Sequence, residues 1–198
     1  NTLQSTTARF DSITASNPSS ALSLGNQFIP SMNYTFTYDN ARLNKRNNLW
    51  WETSMTSSGN VTSLIYAAFG EGLDKKNKKL LNSPYAQFLK LTSEVRTLYK
   101  ISEKQHIAAR LMGGVIWAYG NQTIAPYSEQ FYIGGANSLR AFTVRSLGPG
   151  TFHPGKNTQY GYLDQTGDIK LEANIEYRFP IFGDLYGATF LDAGNVWL

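Results

Sequence analysis

The sequence predicts an all-β fold, an antiparallel transmembrane β-barrel. Three observations predict it. Alternation of apolar and polar residues holds for a dozen residues at a stretch, connections are either very short or very long, and aromatic residues gather near the apolar ends of the strands. Alternation alone would equally suit a soluble barrel with an apolar interior, so strand length, loop asymmetry and the aromatic ends make the choice.

Taken along the chain, Ala8 to Thr14 is a weak strand candidate. Asn33 to Tyr38 alternates Tyr34, Phe36 and Tyr38 against Asn33, Thr35 and Thr37, and Leu49 to Met55 is a further strand. Val61 to Phe69 reads as a second weak strand candidate. Leu89 to Lys100 sets Leu89, Leu91, Val95 and Tyr99 against Lys90, Glu94, Arg96 and Lys100. His106 to Tyr119 sets Leu111, Val115 and Trp117 against His106, Arg110 and Met112. The polar link Ser102-Glu103-Lys104-Gln105 makes these two a hairpin. Asp168 to Phe179 is the cleanest stretch. Asp168, Lys170, Glu172, Asn174, Glu176 and Arg178 occupy one parity and Ile169, Leu171, Ala173, Ile175, Tyr177 and Phe179 the other. Residues 180–184 read as a tight turn into a last strand, Leu185 to Val196.

Length carries as much weight as period. Twelve residues at about 3.3 Å each span roughly 40 Å, and a tilt near 45° brings this to about 28 Å, close to the apolar thickness of a bilayer. Soluble strands usually stop at about six residues. Tyr99, Trp117, Tyr119, Tyr177 and Phe179, with Trp50 and Trp51, fit interfacial girdles. Short links (101–105, 180–184) contrast with Asp39 to Asn48, Glu71 to Pro84 and, above all, Gly120 to Gly167. The last far exceeds the usual ceiling for a passive connection, and its apolar and glycine residues predict that it packs against the protein.

Composition narrows the function classes. Eighteen Lys+Arg against 14 Asp+Glu give a net charge of +4, and the basic residues are scattered, which argues against nucleic acid. The absence of Cys excludes disulfides, Cys-ligated metal and a Cys nucleophile, and two His (His106, His153) are too few for a His-based metal site. No nucleophile elbow, metal spacing or phosphate loop is present, so neither an enzyme nor a cofactor is expected. No apolar run is long enough for a transmembrane helix. The run Lys75-Lys76-Asn77-Lys78-Lys79 is read as a solvated loop, with anionic lipid headgroups as the alternative. Lys90, Glu94, Arg96 and Arg110 share the parity of Glu176 and are expected to satisfy one another on the charged face. The chain begins without Met and stops directly after an apolar run, which predicts a portion of a larger protein.

Three segments carry a resemblance. Gln130 to Phe142 contains Gly134-Gly135 followed by Leu139-Arg140-Ala141-Phe142. Glu172 to Pro180 reads Glu-Ala-Asn-Ile-Glu-Tyr-Arg-Phe-Pro. Phe190 to Trp197 contains Phe-x-Asp-x-Gly. In this order and spacing they resemble the sixth extracellular loop and the two following strands of the Omp85 superfamily, the BamA- and TamA-like barrels of bacterial outer membranes. The family's loop signature is Val-Arg-Gly-Phe/Tyr, from which this chain departs with Leu139 and Ala141. Arg145 to Gly150 and Pro126 are most similar to the Bacteroidetes TamA-like (TamL-type) branch.

The resemblance implies that residues 1–198 are part of a single 16-stranded barrel, with 120–167 as a long extracellular loop folded into the lumen. Periplasmic POTRA domains and the closing strands would lie outside this chain. It implies a non-enzymatic factor for assembly, insertion or translocation of outer-membrane proteins, acting through a lateral seam and bilayer thinning. Outer-membrane lipid, unfolded client proteins and periplasmic or lipoprotein subunits are the implied partners. It also implies that Arg140 pairs with Glu176 and Asp192 inside the barrel. Without the motif, Arg140 reads more simply as a surface arginine with no fixed partner. The rival functions are a passive channel or uptake receptor and, from another class, a soluble barrel binding an apolar ligand.

Overall fold

The computed structural model describes residues 27–41, 46–70, 78–80, 83–121, 123–152 and 165–198. The strand candidate Ala8 to Thr14, His153 and Lys75 to Asn77 lie outside the described residues. Eight strands and one helix are present among the described residues: β1 (Ser31–Asp39), β2 (Asn47–Ser58), α1 (Asn60–Ala68), β3 (Lys79–Leu80), β4 (Ser83–Pro84), β5 (Phe88–Lys100), β6 (His106–Ala118), β7 (Ile169–Phe182) and β8 (Leu185–Trp197). β1, β2, β5, β6, β7 and β8 form one sheet in that order, and β3 pairs with β4. No described helix is long and apolar enough to cross a membrane. The described residues fall into two compact units, one within Asn1–Asn33, Thr56–Lys90 and Ile116–Gln130, the other within Tyr34–Met55, Leu91–Val115 and Phe131–Leu198.

The second unit holds most of the sheet. β6 and β7 run antiparallel with Arg110 opposite Asn174, and β7 and β8 run antiparallel with Asn174 opposite Asp192. The sheet is turned inside out relative to a soluble protein. On β7, Ile169, Leu171 and Ile175 are 44%, 51% and 46% exposed, whereas Glu172 is fully buried. The apolar parity thus faces outward and the charged parity is covered, the polarity expected of strands bordered by lipid. What covers the charged face is the long connection after β6, whose Phe131, Ile133 and Leu139 are buried together with Val196 of β8.

Glycines on the wall make room for that loop. A Cβ on Gly114 would meet the Phe131 ring at 2.5 Å, and one on Gly194 would lie 3.2 Å from Leu139 Cδ1. Phe131 and Gly167 close the loop's neck with reciprocal backbone hydrogen bonds of 2.9 Å.

In the first unit, Tyr85, Ala86, Phe88, Ile116 and Ala125 are buried. Asn121 ties neighbouring segments together, its side chain donating to Lys78 O (3.0 Å) and Tyr85 O (2.8 Å) and accepting from Lys78 N–H (2.6 Å).

Two expectations need correction. Val61 to Phe69 is not a strand; Asn60–Ala68 is helical. The unbroken apolar run Leu64 to Phe69 masks the period, but Val61, Leu64, Ile65 and Ala68 lie three and four apart, which is helical spacing. Residues 180–184 are not all turn either. β7 continues to Phe182, the register shifts between Pro180 and Phe182, and only Gly183-Asp184 turn, with Gly183 at φ 54°. Proline tends to sit at such irregularities because it cannot donate to a ladder.

Candidate functional site

The site lies where the tip of the long loop meets the charged face of β7 and β8, wholly within the second unit. The loop reverses at Gly134-Gly135, with φ values of 99° and 96°. Gly135 N–H donates to Phe142 O (2.8 Å), Phe142 N–H to Leu139 O (3.1 Å) and Arg145 N–H to Ile133 O (2.9 Å). A Cβ on Gly134 would stand 2.1 Å from Thr143 O, a backbone atom that cannot rotate aside. Gly134→Ala is therefore expected to loosen the loop tip, at a cost of about 1–3 kcal/mol for the backbone conformation alone. The check is the rate of proteolytic nicking within 131–146. Gly113→Ala, whose Cβ would meet nothing closer than 3.9 Å, should leave that rate unchanged.

This reversal delivers Arg140 to the wall. Its Nε donates to Asp192 Oδ2 and its Nη2 to Asp192 Oδ1, each at 2.8 Å, and its backbone N–H reaches Oδ2 at 3.2 Å. Its Nη1 donates to Glu176 Oε2. The planar fork grips Asp192 with two parallel N–H groups and still reaches Glu176 on the neighbouring strand, and a lysine ammonium cannot reproduce that bidentate geometry. Beneath it, the Phe190 ring centroid lies 3.6 Å from the guanidinium carbon, within cation–π range. Asp192 above all, and then Glu176, hold the Arg140 guanidinium well above its ordinary value, so it stays charged. Arg178 supports Glu176 from its own strand, with Nε 2.6 Å from Oε1. The structure thus brings together Arg140, Glu176 and Asp192.

Of the other motif residues, Gly134, Gly135 and Leu139 form the turn and its buried anchor. Ala141 and Phe142 are exposed, so the Ala141 methyl does not press on the wall, and packing falls to Phe131, Ile133 and Leu139 rather than to Phe142.

A second attachment escaped the sequence reading. Ser138 Oγ donates to Glu172 Oε2 at 2.7 Å and accepts Gly134 N–H at 3.1 Å. Arg110 spans the gap, donating to Glu94, Glu172 and the Asn137 carbonyl. Lys170 Nζ lies 3.0 Å from Glu172, and Arg96 Nε 2.6 Å from Glu94. Asn174 joins the two clusters, its Nδ2 donating to Ser138 O (2.8 Å) and Asp192 Oδ1 (2.9 Å). Strand parity put Glu94, Arg96, Arg110 and Glu172 on one face, but nothing local in the sequence pointed to Ser138 as their loop partner.

Lys90 serves the loop separately in the first unit, where its Nζ meets Glu129 O at 2.8 Å and Glu129 Oε2 at 3.1 Å. Beside Arg140 in the second unit lies a cavity of about 560 Å³, lined among others by Asp39, Trp50, Arg96, Arg110 and Glu176. Among the described residues no cluster of His, Asp and Glu could hold a metal. Arg110 and Arg140 each face carboxylates that are themselves engaged in further hydrogen bonds, an arrangement that ties the loop tip to the strands.

Comparison with known proteins agrees with this architecture. The Omp85 superfamily domain matches residues 1–198. The chain is 33% identical over 90 residues to the outer membrane protein assembly factor BamA of Neisseria meningitidis serogroup B, covering 42% of this chain and 11% of that relative's length. The family match spans the whole chain and the inverted sheet of the described residues agrees with it: the chain belongs to the Omp85 superfamily, and its long strands are those of a bacterial outer-membrane β-barrel.

Proposed function

We propose that residues 120–167 occupy the lumen of the barrel, fastened by Arg140 to Glu176 and Asp192, and that the barrel inserts or translocates other outer-membrane proteins without cofactor or covalent chemistry. The observation that carries this reading is the Arg140 fork on two adjacent strands. It fixes the loop to the wall at a point where the next attachment, Ser138 on Glu172, lies only two residues away. A loop held at such a point resists displacement while the rest of the wall moves.

The implied work is physical. A seam between strands exposes N–H and C=O groups that lipid cannot satisfy, a client strand pairs with that edge, and a locally thinned bilayer eases its entry. The relative named as an assembly factor supports this direction for the present chain. Periplasmic or lipoprotein subunits are the expected further partners. The passive-channel reading has one observation in its favour, the cavity beside Arg140, whose largely apolar lining also carries Asp39, Arg96, Arg110 and Glu176.

The test uses the full-length protein in vesicles of phosphatidylethanolamine and phosphatidylglycerol, following the folding of an added outer-membrane protein. Glu176→Gln alone should slow client insertion modestly, because Asp192 retains the two-pronged contact. Glu176→Gln with Asp192→Asn should slow it at least tenfold while the barrel remains inserted. Unchanged insertion with both acids neutralised would overturn the fastening role. Steady conductance and solute flux with no effect on client folding would overturn the assembly role in favour of the channel.

A further inference from the structure

Helix α1 is built inside out. Its apolar residues Val61, Leu64, Ile65 and Ala68, with Phe69 following, form one stripe at helical spacing. In a water-soluble fold such a stripe turns inward. Here Val61, Leu64, Ile65 and Phe69 are 52%, 63%, 53% and 84% exposed, whereas Thr62 and Ser63 are 9% and 5% exposed. The polar side is bonded to the protein. Ser63 Oγ lies 2.8 Å from Tyr85 OH and donates to Gln87 Oε1 at 3.0 Å, and Asn60 Oδ1 accepts from Gln87 Nε2 (3.0 Å) and from Tyr119 OH (2.9 Å). These bonds fix the rotation of the helix, so the outward stripe is imposed by its packing.

We infer that α1 is an interfacial helix whose Val61, Leu64, Ile65 and Phe69 side chains rest among lipid acyl chains at the bilayer–water boundary. Its polarity is inverted in the same sense as that of the strands, and lipid is the solvent that rewards such inversion. Position gives a second argument. Tyr119, which bonds Asn60 at the start of the helix, packs against the ring of Trp117 at 5.7 Å, and Trp117 is the last outward apolar residue of β6. The helix therefore begins where the lipid-facing side of β6 ends, at an aromatic pair of the kind that favours the headgroup level.

Charge gives a third argument. No charged residue occurs from Asn60 to Phe69, and Tyr66 OH donates to the carbonyl of Lys79, whose exposed ammonium side chain suits a lipid phosphate. At about 1.5 Å per residue the nine-residue helix is about 13 Å long, too short to cross, and so suited to lie along the surface. This inference rests on the outer-membrane placement of the family and is independent of the Arg140 contacts.

The chain has no cysteine, which makes site-directed labelling direct. Leu64→Cys, Ile65→Cys and Thr62→Cys, with Ser102→Cys as a turn reference, would each carry a nitroxide in the full-length protein. The protein would be otherwise free of cysteine and reconstituted in vesicles of phosphatidylethanolamine and phosphatidylglycerol. Collision with oxygen, which concentrates in lipid, should exceed collision with a water-soluble nickel chelate several-fold at 64 and 65. The Ser102 label should show the reverse, and the Thr62 label should be shielded from both. Because Leu64 and Ile65 already face outward, their replacement leaves the packed side intact. Nickel accessibility at 64 and 65 equal to that at 102 would overturn the inference, placing the stripe in water. Shielding of 64 and 65 from both reagents would also overturn it, because another protein segment, a second copy or a partner then covers the stripe.

Discussion

Arg140→Ala is expected to destabilise the folded barrel by on the order of 3 kcal/mol, the scale for removing one member of a partly buried ion-pair cluster. Three side-chain hydrogen bonds to carboxylates and the stack on Phe190 disappear together. Asp192, whose side chain is nearly buried, would keep only Asn174 and a backbone N–H among these partners. Arg140 is partly solvated, which holds the loss below the upper range for buried pairs. The measurement is the temperature at which the unboiled protein loses its compact gel mobility, read beside a urea titration in vesicles. Arg140→Lys should recover less than half of the loss, since an ammonium cannot reproduce the two parallel hydrogen bonds to Asp192. Arg178→Ala, which removes a largely exposed pair with Glu176, should shift stability by less than about 1 kcal/mol. An Arg140→Ala protein as heat-resistant as the parent would show that the loop is held by its apolar residues alone.

Glu172→Ala is expected to have an equal or larger effect, about 3–5 kcal/mol, because it strips a fully buried carboxylate from two cations and a hydroxyl. Arg110 would keep Glu94, while Lys170 would lose its contact with Glu172 on a covered wall. Glu172→Gln keeps the shape and an acceptor for Ser138 but not the charge, and should recover part of the loss. Ser138→Ala should cost only about 1 kcal/mol, the ordinary worth of one hydrogen bond. A double-mutant cycle between Glu172 and Ser138 isolates their coupling. Additive effects would mean that Glu172 serves the wall and does not hold the loop.

The long strands were legible because side-chain parity is a local property. Asp168 to Phe179 separates charged from apolar residues without an error, and the strand must place them on opposite faces whatever surrounds it. Its length further suggested which face meets lipid. Helix α1 was not legible, since a short unbroken apolar run satisfies either period. Its outward stripe depends on Ser63 finding Tyr85 and Gln87, more than 20 residues away in sequence.

Arg140 stands between these cases. The motif made it a candidate for Glu176 and Asp192, whereas the residues alone read more simply as a surface arginine with no fixed partner. The contact with Ser138 and Asn137 that joins Glu172 and Arg110 to the loop had no local signal at all.

The sequence by itself determined a sheet of membrane-length strands, the charged parity of Leu89 to Lys100, His106 to Tyr119 and Asp168 to Phe179, and the glycines that let the loop fold back. Only the tertiary structure decided which loop atom meets which wall atom. That register is set by the path of the backbone through Gly134 and Gly135 and by the clearances at Gly114 and Gly194, which are distances between elements and leave no periodic trace along the chain.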